Sequence, residues 1–205
     1  MEQWVASIGF IPIGLKPREQ FEDLMIRKKG FPNQQYQWCS MNLKTLPFVQ
    51  WADSVDPFSH AIILIGKRRE ESQDRADTPE FVNESPYHGN RTIWHPLYLH
   101  TDAARDDLLR HAGISPLPHR SQECAPCVNA NRADFLLLTE REIQRVEDLE
   151  EETGQTMFRP KRYKTRMYPN GCHGIREVIQ WAHKAPLQLD EPKGYSQCAT
   201  GYCGI

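Results

Sequence analysis

Residues 60–66, HAIILIG, form an unbroken apolar run ending in glycine, and the charged stretch KRREESQDRADTP follows at once. A short continuous run bounded by a turn residue has the pattern of a strand buried on both faces of a parallel sheet. That reading constrains the rest of the chain, because parallel strands must be joined by crossovers, usually helical. In open sheets of this kind, ligands bind beyond the carboxyl ends of the strands. The charged loop occupies such a position.

The flanking segments supply the alternation. Residues 4–15, WVASIGFIPIGL, predict a strand leading into a loop at Lys16-Pro17. Residues 17–29 predict a helix opened by proline, with Phe21, Leu24, Met25 and Lys28 on one face and Gly30 and Pro32 as stop signals. Residues 39–52 look helical, although Pro47 interrupts the pattern. TIWHPL, 92–97, predicts a second short strand. Thr101 and Asp102 cap a helix through His111, with Ala104, Leu108 and Ala112 in line and Gly113 at its C′ position. Thr139 and Glu142 have capping-box spacing before a helix carrying Ile143, Val146 and Leu149 and ending near Gly154. A last helix, roughly 173–184, places Ile175, Val178, Ile179 and Ala182 at helical spacing. The expected class is α/β: an open parallel sheet with flanking helices over 1–185, then an irregular Cys-containing tail over 186–205.

Composition excludes several classes. Of the 205 residues, 39% are hydrophobic and 25% charged, as in an ordinary soluble domain. No apolar run nears the roughly 20 residues of a membrane span. The first residues lack a basic n-region and a small-residue cleavage site, so the expectation is a cytoplasmic protein with no membrane partner. A formal charge of −2, from 25 basic and 27 acidic residues, gives no field for nucleic acid. FRPKRYKTRMY, 158–168, interleaves cations with aromatics as single-strand binders do, but a solvated surface segment accounts for it as well. Six cysteines without a signal segment argue against a secreted disulfide scaffold and towards metal or thiol chemistry.

Four groups of residues can carry chemistry. Lys67, Arg68, Arg69 and Arg75 follow the apolar run, and guanidinium forks suit phosphate or sulfate oxygens. Glu70 and Glu71 can orient those arginines or bind a ribose hydroxyl, and Ser72 can donate to an anion. A self-neutralising, solvated loop is the competing account. Cys124 and Cys127 form a CxxC that suits a metal, a cluster edge or a redox pair, against a chance pair of inert thiols. Cys39, beside Trp38, is by itself a packing residue. Cys198 and Cys203 lie in the last eight residues, where a tail thiol can reach into a site as nucleophile or ligand, or stay exposed or disulfide-linked. Cys172, between Gly171 and His173, reads as structural. No H-E-x-x-H, G-x-S-x-G, G-x-G-x-x-G or Walker sequence is present.

The order of these pieces resembles the phosphoadenosine phosphosulfate (PAPS) reductase family of the PP-loop, or adenine-nucleotide alpha-hydrolase, superfamily. The matching segments are FPNQQYQWCSMNLKTLPF (31–48), IGKRREESQDRA (65–76), IWHPL (93–97), HRSQECAPC (119–127) and the terminal GYCGI. They follow the family's "Cys then LK..P", "G.R..ES..R" and "R..C..C" motifs in order. The resemblance implies an adenine nucleotide, ATP or PAPS, held by Lys44, Arg68, Arg69, Glu71, Ser72, Arg75 and Arg120. It also implies a [4Fe–4S] cluster, or zinc as the alternative, on Cys39, Cys124 and Cys127, with the fourth ligand open and the tail, through Cys198 or Cys203, able to supply it. Cys203 matches the family's catalytic tail cysteine. The implied chemistry is sulfur transfer or sulfonucleotide reduction.

One departure matters. Family members carry an S-G-G-x-D-S/T phosphate loop, and this sequence contains no Gly-Gly dipeptide. The strand that bears that loop is central in the family sheet. Without it, HAIILIG presents an apolar edge that proteins normally cover. The expectation is a homo-oligomer or a complex with a PP-loop-bearing partner. In the second case the chain is a non-catalytic, metal-stapled subunit.

Overall fold

The computed structural model describes residues 2–33, 36–117, 124–158, 163 and 168–184. Three short strands form one open sheet in the order β1 (Ile62–Leu64), β3 (Arg91–Trp94), β2 (Phe81–Ser85). β1 and β3 are parallel, with Ile63 opposite Ile93, so both strands read from the apolar pattern are present. β2 is antiparallel to β3, which makes the sheet mixed rather than parallel. The alternation in β2 is cut short by a register shift between Val82 and Ser85, where Glu84 takes a φ of +50°. Such a bulge hides the period of two from sequence inspection.

The expectation that both faces of HAIILIG are buried fails. Among the described residues β1 has a strand neighbour on one side only, and Ile62 and Leu64 are 56% and 60% exposed. Ile65, just beyond the strand, is buried. The strand predicted over 4–15 is also absent. Residues Glu2–Ser7 form a short helix, α1, and Gly9 leaves it with a φ of +90°. An isolated strand has no ladder to satisfy its backbone, whereas a helical turn satisfies its own.

The helices follow the sequence more closely. α2 (Phe21–Lys28) buries Leu24 and Met25 completely and closes with Lys29 and Gly30 donating to Ile26 O and Met25 O. Residues 38–55 form one continuous helix: α3 (Trp38–Ser40), a π-helical turn (Met41–Thr45) and α4 (Leu46–Val55). Leu46 N–H reaches back five residues to Met41 O. Pro47 has no N–H to donate and its ring crowds the carbonyl four residues earlier, so the widened turn lies where room is needed. α5 (Asp102–His111) has the expected Thr101 cap, with Oγ1 accepting from Ala104 N at 3.1 Å, and Gly113 at a φ of +73°. Its apolar line is not buried, and Leu108 remains 47% exposed. α6 (Arg132–Leu136) opens on an Asn131–Asp134 capping box, and α7 (Glu140–Thr153) on the expected Thr139–Glu142 box. α8 (Ile175–Lys184) buries Ile175, Val178 and Ala182.

The core lies among the helices rather than on the sheet. Val128, Phe135, Ile143, Val146, Phe158, Tyr163 and the α8 residues form the main cluster. Leu24, Met25 and Leu149 form a second, bordered by Phe21, Phe31, Trp38 and Leu43. Glu150 ties this layer together, since its half-buried carboxylate accepts from Met157 N and Ile175 N, both at 2.8 Å. Among the described residues no helix is long and apolar enough to cross a membrane.

The sheet is joined to the 38–55 helix by one buried guanidinium. Arg91, at the start of β3, is 1% exposed. Its Nε donates to Asp56 Oδ2 and its Nη1 to Asp53 Oδ1, both at 2.9 Å, and its Nη2 to Asp56 O at 2.6 Å. Gly89, at a φ of +64°, passes so close that an added Cβ would meet Arg91 Nη1 at 2.5 Å. The bonds from Ala61 N–H and Arg91 hold the Asp56 carboxyl below its usual range. His88 packs edge-on against Phe48, and burial, then the charge of His95, pushes its pKa down to about 4.

Two outcomes follow for stability. Arg91→Ala strips a buried charge from two carboxylates and should lower unfolding free energy by about 3 kcal/mol, read from urea midpoints. Arg91→Lys should recover only part, because one ammonium cannot reproduce the planar fork. For His88 the folded pKa lies below the unfolded value, so the unfolded chain binds the extra proton. Stability should therefore decline as pH falls from about 6.5 towards about 4, and His88→Gln should flatten that decline in urea titrations.

Candidate functional site

Three cysteines that are far apart in sequence line one pocket. Cys39, Cys124 and Cys127 share it with Lys44, Ser40, Gln37, Phe21, Leu43, Pro126, Val128 and Met157. The pocket encloses about 430 Å³, open solvent included. It lies on the seam between the two helical clusters, which Phe21 and Leu43 border on one side and Cys127, Val128 and Met157 on the other. The local fold explains the convergence. Cys39 lies in α3, and the π-helical turn that follows brings Leu43 and Lys44 to the same opening. The CxxC loop is held from below by Arg145 of α7, which donates to Ala125 O at 3.5 Å and pairs with Glu22 of α2 at 3.3 Å. The Ala125–Pro126 peptide bond is cis.

The thiols differ in environment. Cys124 is exposed, Cys39 and Cys127 are partly buried, and none of the three is in a disulfide. Cys127 Sγ accepts from Asn129 N–H at 3.5 Å. Among the described residues no three His, Cys, Asp or Glu side chains form a group that could hold a single metal ion. Cys172 is fully buried, and desolvation, then Glu177, pushes its thiol up to about 11. That matches the structural role read from its sequence position.

The basic loop after β1 forms a separate cluster. Arg68 is 4% exposed and donates to Asp102 Oδ1 at 2.8 Å and to His100 O at 3.4 Å. Glu71 lies between Arg68 and Arg75 and pairs with both. Of the two roles open to Glu71, orienting the arginines is the one the geometry displays. Arg69 is exposed, stacks over Tyr98 and donates from Nε to Thr78 O at 2.9 Å. Ser72 Oγ is buried without a hydrogen-bond partner among the described residues. Lys44 belongs to the thiol pocket, not to this loop.

Sequence reasoning missed the groups facing this loop. His95 directly follows β3, and its Nδ1 lies 2.8 Å from Pro79 O. Burial lowers its pKa, opposed by that bond and aided by Lys67 and Arg75. Lys67 is lowered by burial and by Arg75. Lys67 and Arg75 thus crowd positive charge around His95 at the carboxyl ends of two parallel strands, β1 and β3. The IWHPL segment contained the signal for His95, but only the strand pairing brings it to the loop. Arg120, Cys198, Cys203, the 186–205 tail and most of 158–168 lie outside the described residues.

No family model matches the chain, and neither does any solved structure. The chain is similar to an "uncharacterized 37.8 kDa protein in gpa 5'region" of Escherichia phage 186, with 28% identity over 153 residues. The match covers 66% of this chain and 44% of the phage protein, so the chain spans less than half of that relative.

The thiol environments predict an order of reactivity. Under native conditions at pH 8, Cys124 should be alkylated by iodoacetamide at least ~10-fold faster than Cys172, read by peptide mass spectrometry. Equal rates would mean that Cys172 is not buried in solution.

Proposed function

We propose that the chain is a PAPS-reductase-like protein of the PP-loop superfamily. In this reading it holds a [4Fe–4S] cluster on Cys39, Cys124 and Cys127 and acts on an adenine nucleotide in sulfur transfer or sulfonucleotide reduction. The observation that supports it is the shared pocket: Cys39 and the CxxC are 85 positions apart, yet they line one opening with Lys44. The donor chemistry fits, since thiolates hold clusters and the Cys127 sulfur already accepts an N–H. In a cluster each thiolate binds its own iron, so the sulfurs need not converge on one point as they must around zinc. Zinc on the same thiols is the alternative, and metal analysis separates the two. Cys198 is the candidate fourth ligand.

The nucleotide side rests on the loop beyond β1. Lys67 and Arg75 concentrate positive charge there beside His95, the Arg69 guanidinium is exposed, and Ser72 Oγ is available to an anion. Arg68 and Arg75, braced by Glu71, set the shape of the loop. In the reductase form of the chemistry, the Cys203 thiolate attacks the sulfur of the sulfonucleotide. An S–S bond forms, the S–O bond to phosphate breaks, and the adenosine phosphate leaves with that electron pair. Arg69 and Arg120 would hold the departing phosphate and favour the thiolate.

A second reading is a metal-stapled, non-catalytic subunit that works with a PP-loop-bearing partner. The absence of any Gly-Gly dipeptide from these residues favours it. Anaerobic purification with a visible spectrum and iron, sulfide and zinc analysis separates the two. The cluster reading expects a brown protein with matching iron and sulfide, bleached by Cys39→Ser, Cys124→Ser or Cys127→Ser. A colourless protein with one zinc per chain would transfer the assignment to the subunit. Absence of metal would overturn both.

A further inference from the structure

The exposed edge of β1 and the exposed apolar segment 11–15 are complementary, and we infer that a second copy of this chain supplies that segment as an added antiparallel strand. Ile65 N–H donates to Trp94 O, so alternate β1 residues face β3 while Ile62 and Leu64 turn their backbone groups to the open edge. Their side chains are more than half exposed. An unpaired edge with two large apolar side chains is a template for another strand.

The segment IPIGL, 11–15, has the matching pattern. Ile11, Ile13 and Leu15 recur every second residue and are 81%, 50% and 38% exposed. The segment lies in no helix or strand of its own copy. With Ile11, Ile13 and Leu15 directed at β1, Pro12 and Gly14 turn their backbones outward. Pro12 has no N–H to offer, so the new outer edge is interrupted at its centre and cannot recruit a further strand. The exchange is reciprocal, each copy giving one strand and taking one, and therefore closes as a two-fold dimer rather than a fibre.

Charge selects both the occupant and its direction. The segment continues into Lys16 and Arg18. Laid antiparallel to β1, it carries these cations towards the C-terminal end of α4, where Asp53 remains 58% exposed and Asp56 lies beside it. Laid parallel, it would drive them towards Lys67 and the exposed Arg69. Like charges at that end disfavour the parallel arrangement.

Light scattering on the full chain, with Leu64→Lys and Ile11→Lys, tests this. Both positions are exposed, so neither change disturbs the core, and circular dichroism checks the fold. The wild type should show twice the monomer mass at about 50 μM, and each variant should fall to the monomer. The amides of 62–64 should exchange more slowly as wild-type concentration rises. A wild-type monomer at all concentrations overturns the inference, whether its edge is open, closed by its own segment or kept for a different protein. A dimer that yields to Leu64→Lys but not to Ile11→Lys overturns it too, because β1 would then pair with β1. None of these outcomes depends on metal content or nucleotide binding, so failure here is distinct from failure of the proposed function.

Discussion

Arg91 is the contact on which the arrangement of sheet and helix depends. A guanidinium at 1% exposure needs its charge and its donors satisfied. Asp53, Asp56 and two backbone carbonyls do so, all from the end of α4 and the turn before β3. The consequence reaches beyond that corner. α4 is continuous with the π-helical turn and with α3, so fixing one end of the 38–55 helix to the sheet sets the direction of the other. That other end carries Cys39 and Lys44. Gly89 belongs to the same device, since any side chain there would displace the guanidinium.

The pocket lies within the helical layer, between its two apolar clusters, and away from the sheet. The sheet is thin, with three strands and little apolar cover. The helical layer has two apolar clusters and is closed by capping boxes, a glycine cap on α7 and the Glu150 carboxylate. Burial raises the Glu150 pKa against the two N–H bonds it accepts, so the carboxylate is a constrained connector rather than a solvated charge. Thiols on the seam between those two clusters are approached from packed elements on both sides. Cys39 comes from the helix and Cys124 and Cys127 from a loop braced by Arg145. A site assembled in this way depends on packing more than on local sequence.

The contrast between what sequence reveals and what it hides follows from range. Caps and stop signals act over three or four residues, so Thr101, Thr139, Gly113 and Gly154 could all be read directly. The buried stripes of α2, α7 and α8 are likewise local periodicities. β2 was hidden because its bulge destroys the period of two after Val82. α1 was hidden because WVASIGFIPIGL has strand composition but finds no strand beside it within its own copy. HAIILIG was read correctly as a strand and wrongly as buried, because its run of apolar residues says nothing about how many neighbours it has. At the site, no local pattern joins Cys39 to the CxxC 85 positions away; only the resemblance in motif order groups them, and the pocket they line is a product of tertiary packing. The position of His95 against the basic loop required the β1–β3 register.

The basic loop shows why a count of charges is a poor guide to binding. Four cations in ten residues suggest an open anion cradle. Two of them, Arg68 and Arg75, are almost fully buried and committed to Glu71, with Asp102 as a further partner of Arg68. Buried ion pairs of this kind hold shape, since removing either member leaves an uncompensated charge. The capacity to attract an anion therefore rests on what those pairs leave over. That remainder is Lys67 and His95, whose pKa values are depressed in part by neighbouring positive charge, and the exposed Arg69. Depression of this origin is relieved when an anion arrives, so binding and protonation of His95 should reinforce one another. The loop's arginines and its ligand chemistry are thus divided in labour: the buried pairs fix the backbone, and the residues at the strand ends carry the field.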